Sequence, residues 1–346
     1  MGQSMSSPTG RVSGISITEI AELAGVSTPT VSKVLNGRPD VAQATRERVE
    51  AIIRQHNYTR RRAKSQTTPQ LLDLVFHELD SAWATEIIRG VERQAADKRV
   101  GVVLSDLGGM NRANDRFIED VLFRRPLGVI MVQSTMDAAQ IEQLKSRNIP
   151  TVVVDTDGEP PSGTPTVGSS NWNGGFAAAK HLIELGHTNI AVISGRAEIM
   201  CSRLRIDGFR AAMDQYGIPI NRELIRNGNF YVSGGYAHGL ELLQRENRPT
   251  AIFAGSDLQA FGVMRAAREL GLQVPDDLSV VGYDDLPITE WLYPPLTTIR
   301  QPLQEMAHTA TNMIFDLAQG RAPINSNVEL GTTLVVRQST APPPRT

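Results

Sequence analysis

Ile17-Thr18-Glu19-Ile20-Ala21-Glu22-Leu23-Ala24-Gly25-Val26-Ser27-Thr28-Pro29-Thr30-Val31-Ser32-Lys33-Val34-Leu35-Asn36-Gly37 is the stretch on which the reading of this chain turns. It reads as two short helices joined by a tight turn. Ser16 and Glu19 have the Ser-x-x-Glu spacing of a capping box, which satisfies orphan amides at a helix start. Ile17, Ile20, Ala21, Leu23 and Ala24 recur at helical spacing and form an apolar face. Gly25 ends the helix, because the turn needs left-handed backbone angles that glycine adopts cheaply. Ser27 caps a second helix, and Pro29 falls in its first turn, where a missing amide proton costs nothing. Val31, Val34 and Leu35 face inward. A third helix is expected from Gln43 to His56, with Val49, Ile52 and Ile53 inward and Arg46, Arg48 and Arg54 outward. Each helix alone is too short to be stable, so the three must pack together.

One reading of this segment is three surface helices of an ordinary α domain. The other is a helix-turn-helix that reads double-stranded DNA, with its second helix in the major groove. Thr28, Pro29 and Lys33 are then best placed for base edges, Lys33 as a donor to guanine. Thr30, Ser32 and Asn36 would hold phosphates and fix register. Val26-Ser27-x-x-Thr30-Val31-Ser32-x-Val34-Leu35-Asn36-Gly37, followed by Thr45-Arg46-Glu47-Arg48-Val49 and Asn57-Tyr58, resembles the head of the LacI/GalR transcription regulators. The resemblance makes Tyr58 a further DNA-facing residue.

Working outward, charge is divided unevenly. Up to Gln66 there are ten Lys/Arg against five Asp/Glu, leaving 25 against 32 for the remainder, so a head of +5 sits on a body of −7. That points to a nucleic-acid partner at the head only. At 346 residues, with 40% hydrophobic residues, the chain is expected to form two or three compact units. No apolar run approaches the roughly 18 residues of a bilayer span, and residues 1–14 are polar, without a signal core. A cytoplasmic protein with no membrane partner and a disordered N-terminus is expected. Cys201 is the only cysteine, which excludes an intramolecular disulfide and a cysteine metal cluster.

Residues 59–69 form a hinge or linker of basic and polar composition. They serve either as a solvated linker or as a DNA contact. In the family resembled, this segment is usually a hinge helix whose leucine wedges into the minor groove. Here Arg60 stands where proline is common, and no leucine follows before Leu71. Arg60, Arg61, Arg62 and Lys64 are expected to line the minor groove through charge instead.

From Leu71 onward, short apolar runs alternate with amphipathic stretches. Strands are expected at 71–77, 100–106, 127–133, 151–155, 189–195, 251–255 and 279–284. Helices are expected at 84–96, 115–124, 137–147, 174–185, 203–216, 234–245 and 257–270. This alternation predicts parallel sheets with helices on both faces. The first set of units closes near Val167, so two similar lobes with a cleft between them follow. The resemblance implies a two-lobed α/β core of the type I periplasmic-binding-protein kind over 70–339. Lobe one would span about 70–168 and 300–328, and lobe two about 169–299 and 329–339. The proline-rich end, 340–346, is expected to be disordered.

Ligands in such sheets bind at the carboxyl ends of strands, where Asp155, Gly195, Gly255 and Asp284 fall. Cys201-Ser202-Arg203-Leu204-Arg205-Ile206-Asp207-Gly208-Phe209 is similar to the family segment whose first arginine grips the effector, which makes Arg203 the candidate and leaves Arg205 facing away. Gly282-Tyr283-Asp284-Asp285 implies Asp284 as the acceptor of effector hydroxyls. Gly255-Ser256-Asp257 is similar to a loop that often carries asparagine where Ser256 stands. Asp155 matches a further cleft position. Asp80, Trp83, Trp172, Phe230 and Trp291 fall at loop ends near the cleft, where aromatic rings would stack on a carbohydrate or simply fill core.

The six histidines show no metal spacing, and there is no Gly-x-Ser-x-Gly elbow, phosphate loop or dinucleotide fingerprint. No cofactor, no metal and no enzymatic activity are expected. The end of the chain shows no leucine heptads, the pattern of the family's tetramer-forming tail, so the resemblance implies a homodimer that reads a pseudo-palindromic operator. The resulting expectation is a transcription repressor released by a saccharide effector, oligosaccharides from plant polymers included. A regulator answering a purine, another metabolite or a protein co-repressor is the alternative within that class. A sugar-binding protein of transport is the alternative outside it.

Overall fold

The computed structural model describes residues 15–35, 38, 41–56, 70–79, 81–110, 112–156, 158 and 163–344. The chain divides into two compact units, residues 1–68 and 69–346.

The head holds helices α1 (Ile17–Ala24), α2 (Thr28–Leu35) and α3 (Gln43–Gln55). The capping box forms in both directions: Ser16 N donates to Glu19 at 2.6 Å, and Glu19 N donates to Ser16 Oγ at 3.2 Å. Gly25 takes the left-handed conformation with φ 63° and turns the chain toward α2. Ile20, Ala21, Ala24, Val31, Val34 and Val49 are buried together, so each helix gains from its neighbours the apolar burial it cannot provide alone. Leu23 departs from expectation. It is 58% exposed, because the buried stripe of α1 runs through Ile20, Ala21 and Ala24 and turns Leu23 outward.

In the body the chain order begins β1 (Gln70–Phe76), α4 (Ala82–Asp97), β2 (Val100–Asp106), α5 (Asp115–Arg124), β3 (Val129–Val132), α6 (Ala138–Lys145), β4 (Thr151–Val154), β5 (Thr166–Ser169). It continues α7 (Asn171–Glu184), β6 (Ile190–Ser194), α8 (Met200–Gln215), β7 (Ile225–Asn227), α9 (Val232–Leu243), β8 (Ala251–Ala254), α10 (Asp257–Glu269), β9 (Ser279–Asp284). It ends β10 (Thr297–Arg300), α11 (Leu303–Ala318), β11 (Asn327–Leu330), β12 (Thr333–Val335). Two six-stranded sheets result, ordered β11-β5-β4-β3-β1-β2 and β12-β10-β9-β8-β6-β7. All pairs are parallel except β10 with β12, an antiparallel edge.

Each sheet is buried on both faces, which explains its nearly continuous apolar strands. Leu72, Leu74 and Phe76 of β1 point toward α4 and α11, among Ile87, Val91, Met306 and Ile314. Val75 points to the other side, among Phe117, Val121, Met131 and Leu144. This period-two division sets the register of the first lobe.

The chain passes between the lobes three times: after Ser169, at Gln301–Pro302 and at Gly331–Thr332. The third passage falls beyond the expected boundary at 328, because β11 pairs with β5 through Leu330↔Ser169. The expected disorder from 340 also begins too early. Thr340 Oγ1 lies 3.0 Å from His181 Nε2, and the carbonyl of Ala341 accepts from Ser279 Oγ at 2.9 Å. His187, buried beneath this segment, lies 2.8 Å from Thr250 Oγ1 and 2.9 Å from the Ala341 carbonyl. Burial holds its pKa below the ordinary imidazole value.

Helices α7 and α8 approach almost backbone to backbone. A Cβ on Gly175 would stand 2.0 Å from the Arg205 carbonyl, and one on Gly208 would stand 2.0 Å from the Trp172 carbonyl. This glycine contact fixes the rotation of α8 and therefore which of its side chains look into the space between the lobes. Gly175→Ala is expected to lower the unfolding free energy of the body by about 1–3 kcal/mol, the usual cost of overpacking. Urea unfolding followed by fluorescence checks it, and a change within about 0.5 kcal/mol would show that the two helices separate freely.

Candidate functional site

Two surfaces concern function. On the head, Pro29 and Lys33 of α2 are exposed, while Thr28, Thr30 and Ser32 are half-buried. Thr30 N donates to Ser27 Oγ at 3.3 Å, and the two hydroxyls lie 2.9 Å apart, so Ser27 and Thr30 lock the start of α2. The guanidinium of Arg46 on α3 donates to the Arg38 carbonyl. The outer face of α2 thus offers small polar groups and one lysine. Of the residues assigned to DNA from the sequence, Asn36, Tyr58, Arg60, Arg61 and Arg62 lie outside the described residues.

The second surface is a cavity of about 320 Å³ between the two sheets of the body. Lobe one contributes His77, Glu78, Ser81, Trp83, Gly109 and Gln133. Lobe two contributes Arg196, Ile199, Cys201, Arg205, Asn229, Phe230, Tyr231, Ser256, Leu258, Asp284 and Leu286. Most follow the carboxyl ends of strands, where loops are free to converge.

Arg205 forms its base. Its side chain is almost wholly buried. Nε donates to Asn171 Oδ1 at 2.8 Å and an Nη donates to the Gly255 carbonyl. The guanidinium lies 3.7 Å from the centre of the Tyr283 ring and 5.3 Å from that of Phe230, an arrangement that partly replaces lost hydration by cation–π attraction. Asp284 ends β9 in a positive-φ conformation, φ 117°, and receives a hydrogen bond from Gln301 Nε2 at 2.5 Å. Burial pushes its pKa up to about 7, against the pull of Arg205 and Gln301 in the other direction. The Tyr231 hydroxyl donates to the Glu78 carboxylate, a hydrogen bond from lobe two to lobe one across the cavity.

Of the cleft residues expected from the sequence, the structure brings Trp83, Phe230, Ser256 and Asp284 to this cavity. Ser256 is committed to its own backbone: its hydroxyl caps α10 by accepting from Gln259 N at 3.1 Å and donates to the Phe230 carbonyl at 2.8 Å. Asp155 is buried at the end of β4, outside the cavity lining, and acts electrostatically on Arg205. Asp80 lies outside the described residues.

Four expectations are corrected in placement. Arg203 is exposed and donates to the Glu198 carbonyl at 3.3 Å, whereas Arg205 enters the cavity. The helix begins at Met200 and buries Cys201, Ser202, Arg205, Ile206 and Phe209, and a residue two positions away from that stripe is turned about 200° around the helix. Asp257 is buried away from the cavity, because its two carboxylate oxygens accept from Thr298 Oγ1 at 2.5 Å and Leu286 N at 2.7 Å. Burial, followed by the neighbouring Asp284, raises its pKa well above the ordinary carboxylate value. Trp172 stacks on Phe176 one helical turn away, with ring centres 5.4 Å apart, and remains outside the cavity lining. Trp291 is 82% exposed and borders a different cavity, of about 500 Å³, together with Arg300, Gln304 and Arg337.

His77, Glu78, Gln133, Arg196, Asn229 and Tyr231 line the cavity without having been expected. His77 and Gln133 directly follow strands, with Glu78 one residue further, and were accessible to the strand-end argument. Arg196 and Asn229 depend on loop paths that no periodicity encodes. Among the described residues no group of His, Cys, Asp and Glu is arranged to hold a metal, and no helix is long and apolar enough to cross a membrane.

Comparison with known proteins gives two family matches. Residues 16–61 match the model described as bacterial regulatory proteins, lacI family, and residues 179–340 match the periplasmic binding protein-like domain. The HTH-type transcriptional repressor PurR of Erwinia tasmaniensis is 33% identical over 332 residues, 95% of this chain and 97% of its own. The HTH-type transcriptional repressor CytR of Escherichia coli K12 is 33% identical over 328 residues, 93% of this chain and 95% of its own. Among solved structures, the regulator CelR in complex with cellobiose has a TM-score of 0.71 at 29% identity, covering 94% of this chain and 99% of its own. The lac repressor dimer bound to operator and the anti-inducer ONPF has a TM-score of 0.68 at 29% identity, covering 95% of this chain and 100% of its own.

The raised pKa of Asp284 has a consequence for stability. The folded chain holds this proton up to about pH 7, whereas the ordinary aspartate value is 3.8. The contribution is fully present below the unfolded value and is lost as pH rises through about 7. Asp284→Asn is therefore expected to raise the thermal midpoint of the body at about pH 8 and to change it much less at about pH 5. Equal changes at both, measured by calorimetry, would mean that Asp284 is ionised without penalty.

Proposed function

The chain belongs to the lacI family of bacterial regulatory proteins, and from that premise we propose a homodimeric, cytoplasmic repressor without enzymatic activity, whose hold on a pseudo-palindromic operator is released by a saccharide bound between its lobes. DNA-binding repression is the activity of the family. The saccharide is the finer reading, and one observation carries it: a fixed guanidinium, Arg205, and a carboxylate, Asp284, share the base of a cavity walled by Trp83, Phe230 and Tyr231. A sugar offers vicinal hydroxyls to the two charged groups and C–H faces to the rings. At about 320 Å³, near the lower end of small-molecule sites, the cavity suits a mono- or disaccharide better than a longer chain. CelR, a structural relative, holds cellobiose.

The dimer is supported by the lac repressor structure, a dimer on its operator. Two heads reading two half-sites multiply a weak individual grip, so separating them is enough to release DNA.

A mobility-shift assay on DNA upstream of the chain's own gene, with a panel of cellobiose, ribose, glucose and hypoxanthine, tests the proposal. The wild type is expected to retard the DNA, and one sugar is expected to abolish the retarded band. Arg205→Met is expected to keep DNA binding and to weaken the response to that sugar by about ten- to a hundredfold, the cost of a charged hydrogen bond. Arg203→Ala is expected to respond as the wild type does. Release by hypoxanthine alone would replace the saccharide with a purine, and a chain that retards no such DNA would overturn the proposed operator.

A further inference from the structure

The two charged groups at the base of the cleft are each held by a neutral amide that does not line it. Arg205 Nε donates to Asn171 Oδ1 at 2.8 Å, and Asn171 Nδ2 donates to the Ser169 carbonyl at 3.0 Å. Asp284 Oδ1 accepts from Gln301 Nε2 at 2.5 Å, and Gln301 Oε1 accepts from Ser169 Oγ at 2.6 Å. Both arms end on one residue, the carbonyl of Ser169 serving one and its hydroxyl the other. Ser169, Asn171 and Gln301 are all buried, so water does not substitute freely for either arm. The circuit is also polarised. Reversing the Gln301 amide would set its oxygen against the ionised Asp284 carboxylate, an acceptor against an acceptor, so that end fixes the orientation while the Ser169 hydroxyl adapts to it.

These residues occupy the passages between the lobes. Ser169 closes β5, where the chain leaves lobe one, and Gln301 follows β10, where it returns. The third passage is joined to the first, since Ser170 N donates to the Leu330 carbonyl at 2.8 Å and Thr332 Oγ1 donates to the Ser170 carbonyl at 3.3 Å. Any rotation of one lobe against the other has to turn about these three passages, and the Ser169–Gln301 hydrogen bond spans two of them.

We propose that Gln301 and Asn171 are positioning residues, joined through Ser169, that hold Asp284 and Arg205 in their binding geometry and make that geometry depend on the spacing of the strands between the lobes. The proposal rests on the reading of the cleft as the effector site. Asp284 is the arm that reports most directly. Arg205 from α8, the Gln301 amide and the backbone N–H of Asp257 favour its ionised form, while burial and Asp155 at the end of β4 oppose it. The Asp257 carboxyl from α10 acts on the same site, Tyr283 precedes Asp284 on β9 and Asp285 follows it, and His77, Glu78 and Arg196 share the cavity lining. Losing the Gln301 arm removes one of the influences that favour ionisation, so Asp284 keeps its proton to a higher pH.

The test is a carboxyl-carbon NMR titration of the full chain labelled with ¹³C-aspartate, Asp284 being assigned by its loss in Asp284→Asn. The wild-type midpoint is expected at about 7. Gln301→Leu is expected to raise it by about one pH unit, the scale of one charged hydrogen bond. Ser169→Ala never touches Asp284 and is expected to raise it in the same direction by less. Unmoved resonances of the other aspartates show that the fold persists in each variant. An unchanged midpoint in Gln301→Leu would overturn the positioning role, and one unchanged in Ser169→Ala would sever the link to the passages. The titration uses no ligand, so its outcome is independent of whether any sugar releases DNA.

Discussion

A buried guanidinium constrains this protein more than any other single group. Removing a charge from water costs several kcal/mol, roughly, unless the surroundings replace its hydration. Arg205 has that replacement: an amide oxygen from Asn171, a backbone carbonyl from Gly255, two aromatic faces and the nearby carboxyl of Asp284. They come from α7, β9 and the loops after β7 and β8, which, with α8 itself, must all be in place for the cation to be tolerated. The two glycines between α7 and α8 belong to the same requirement, because they bring the backbone of Arg205 against α7. Binding chemistry and the packing of lobe two are therefore one problem solved by one set of residues.

The backbone around the cleft is shaped for the same end. Gln133, Asp155, Asp284 and Asp285 take positive φ at or just beyond strand ends, a conformation uncommon outside glycine. There the chain turns sharply from a buried strand into a loop, and strain of this kind collects where function demands it. Asp284 and Asp285 divide the work. The first faces the cleft, while the second pairs with Arg300 at 2.6 Å and Arg337 at 2.7 Å on its other side. One short turn thus touches both the effector cavity and the strands that lead out of lobe two.

Much of this was legible in the sequence, and the failures have a common cause. The capping box at Ser16, the turn at Gly25 and the central β-branched runs are local signals, and the structure reproduces them nearly residue for residue. The alternation of strand and helix encodes the layered body just as directly. What local pattern did not give was phase. Arg203 was expected in the cleft as the first arginine of a segment that resembles the family's, whereas the helix that begins at Met200 turns Arg205 inward and Arg203 out. Cys201, Arg205 and Phe209 lie four residues apart, and that spacing was present in the sequence to be read. The tryptophans misled for a different reason: placement at a loop end says nothing of which way a ring turns, and Trp172 turns to Phe176. Edge strands such as β7 and β11 were missed because three or four residues are too few for an alternation, such as the one in Asn327–Leu330, to stand out.

The division of the cavity between lobes bears on how occupancy becomes a signal. A ligand shifts a two-state equilibrium only by its difference in affinity for the two states, and full inversion from 1:99 to 99:1 takes roughly 5.5 kcal/mol. Arg205, Phe230 and Asp284 all belong to lobe two, so a ligand held by them alone distinguishes lobe arrangements only through the hydrogen bonds that tie Arg205 and Asp284 to Ser169. A direct difference comes from His77, Glu78, Trp83 and Gln133, which only a ligand reaching lobe one can touch. Among the described residues Glu78 is the one carboxylate on that side, so most contacts there are neutral hydrogen bonds of about 0.5–1.5 kcal/mol each, and several must act together with ring contact to Trp83. Glu78 is then in a particular position, since its carboxylate is already taken by Tyr231 across the cleft. A ligand hydroxyl that displaces Tyr231 exchanges one bridge between the lobes for another and gains little. Ligands that leave that bridge intact while filling the space beneath it add their whole contribution to closure. The cleft thus has two routes from occupancy to response: direct contacts that only lobe one supplies, and the Ser169 circuit that ties the charged pair of lobe two to the strands between the lobes.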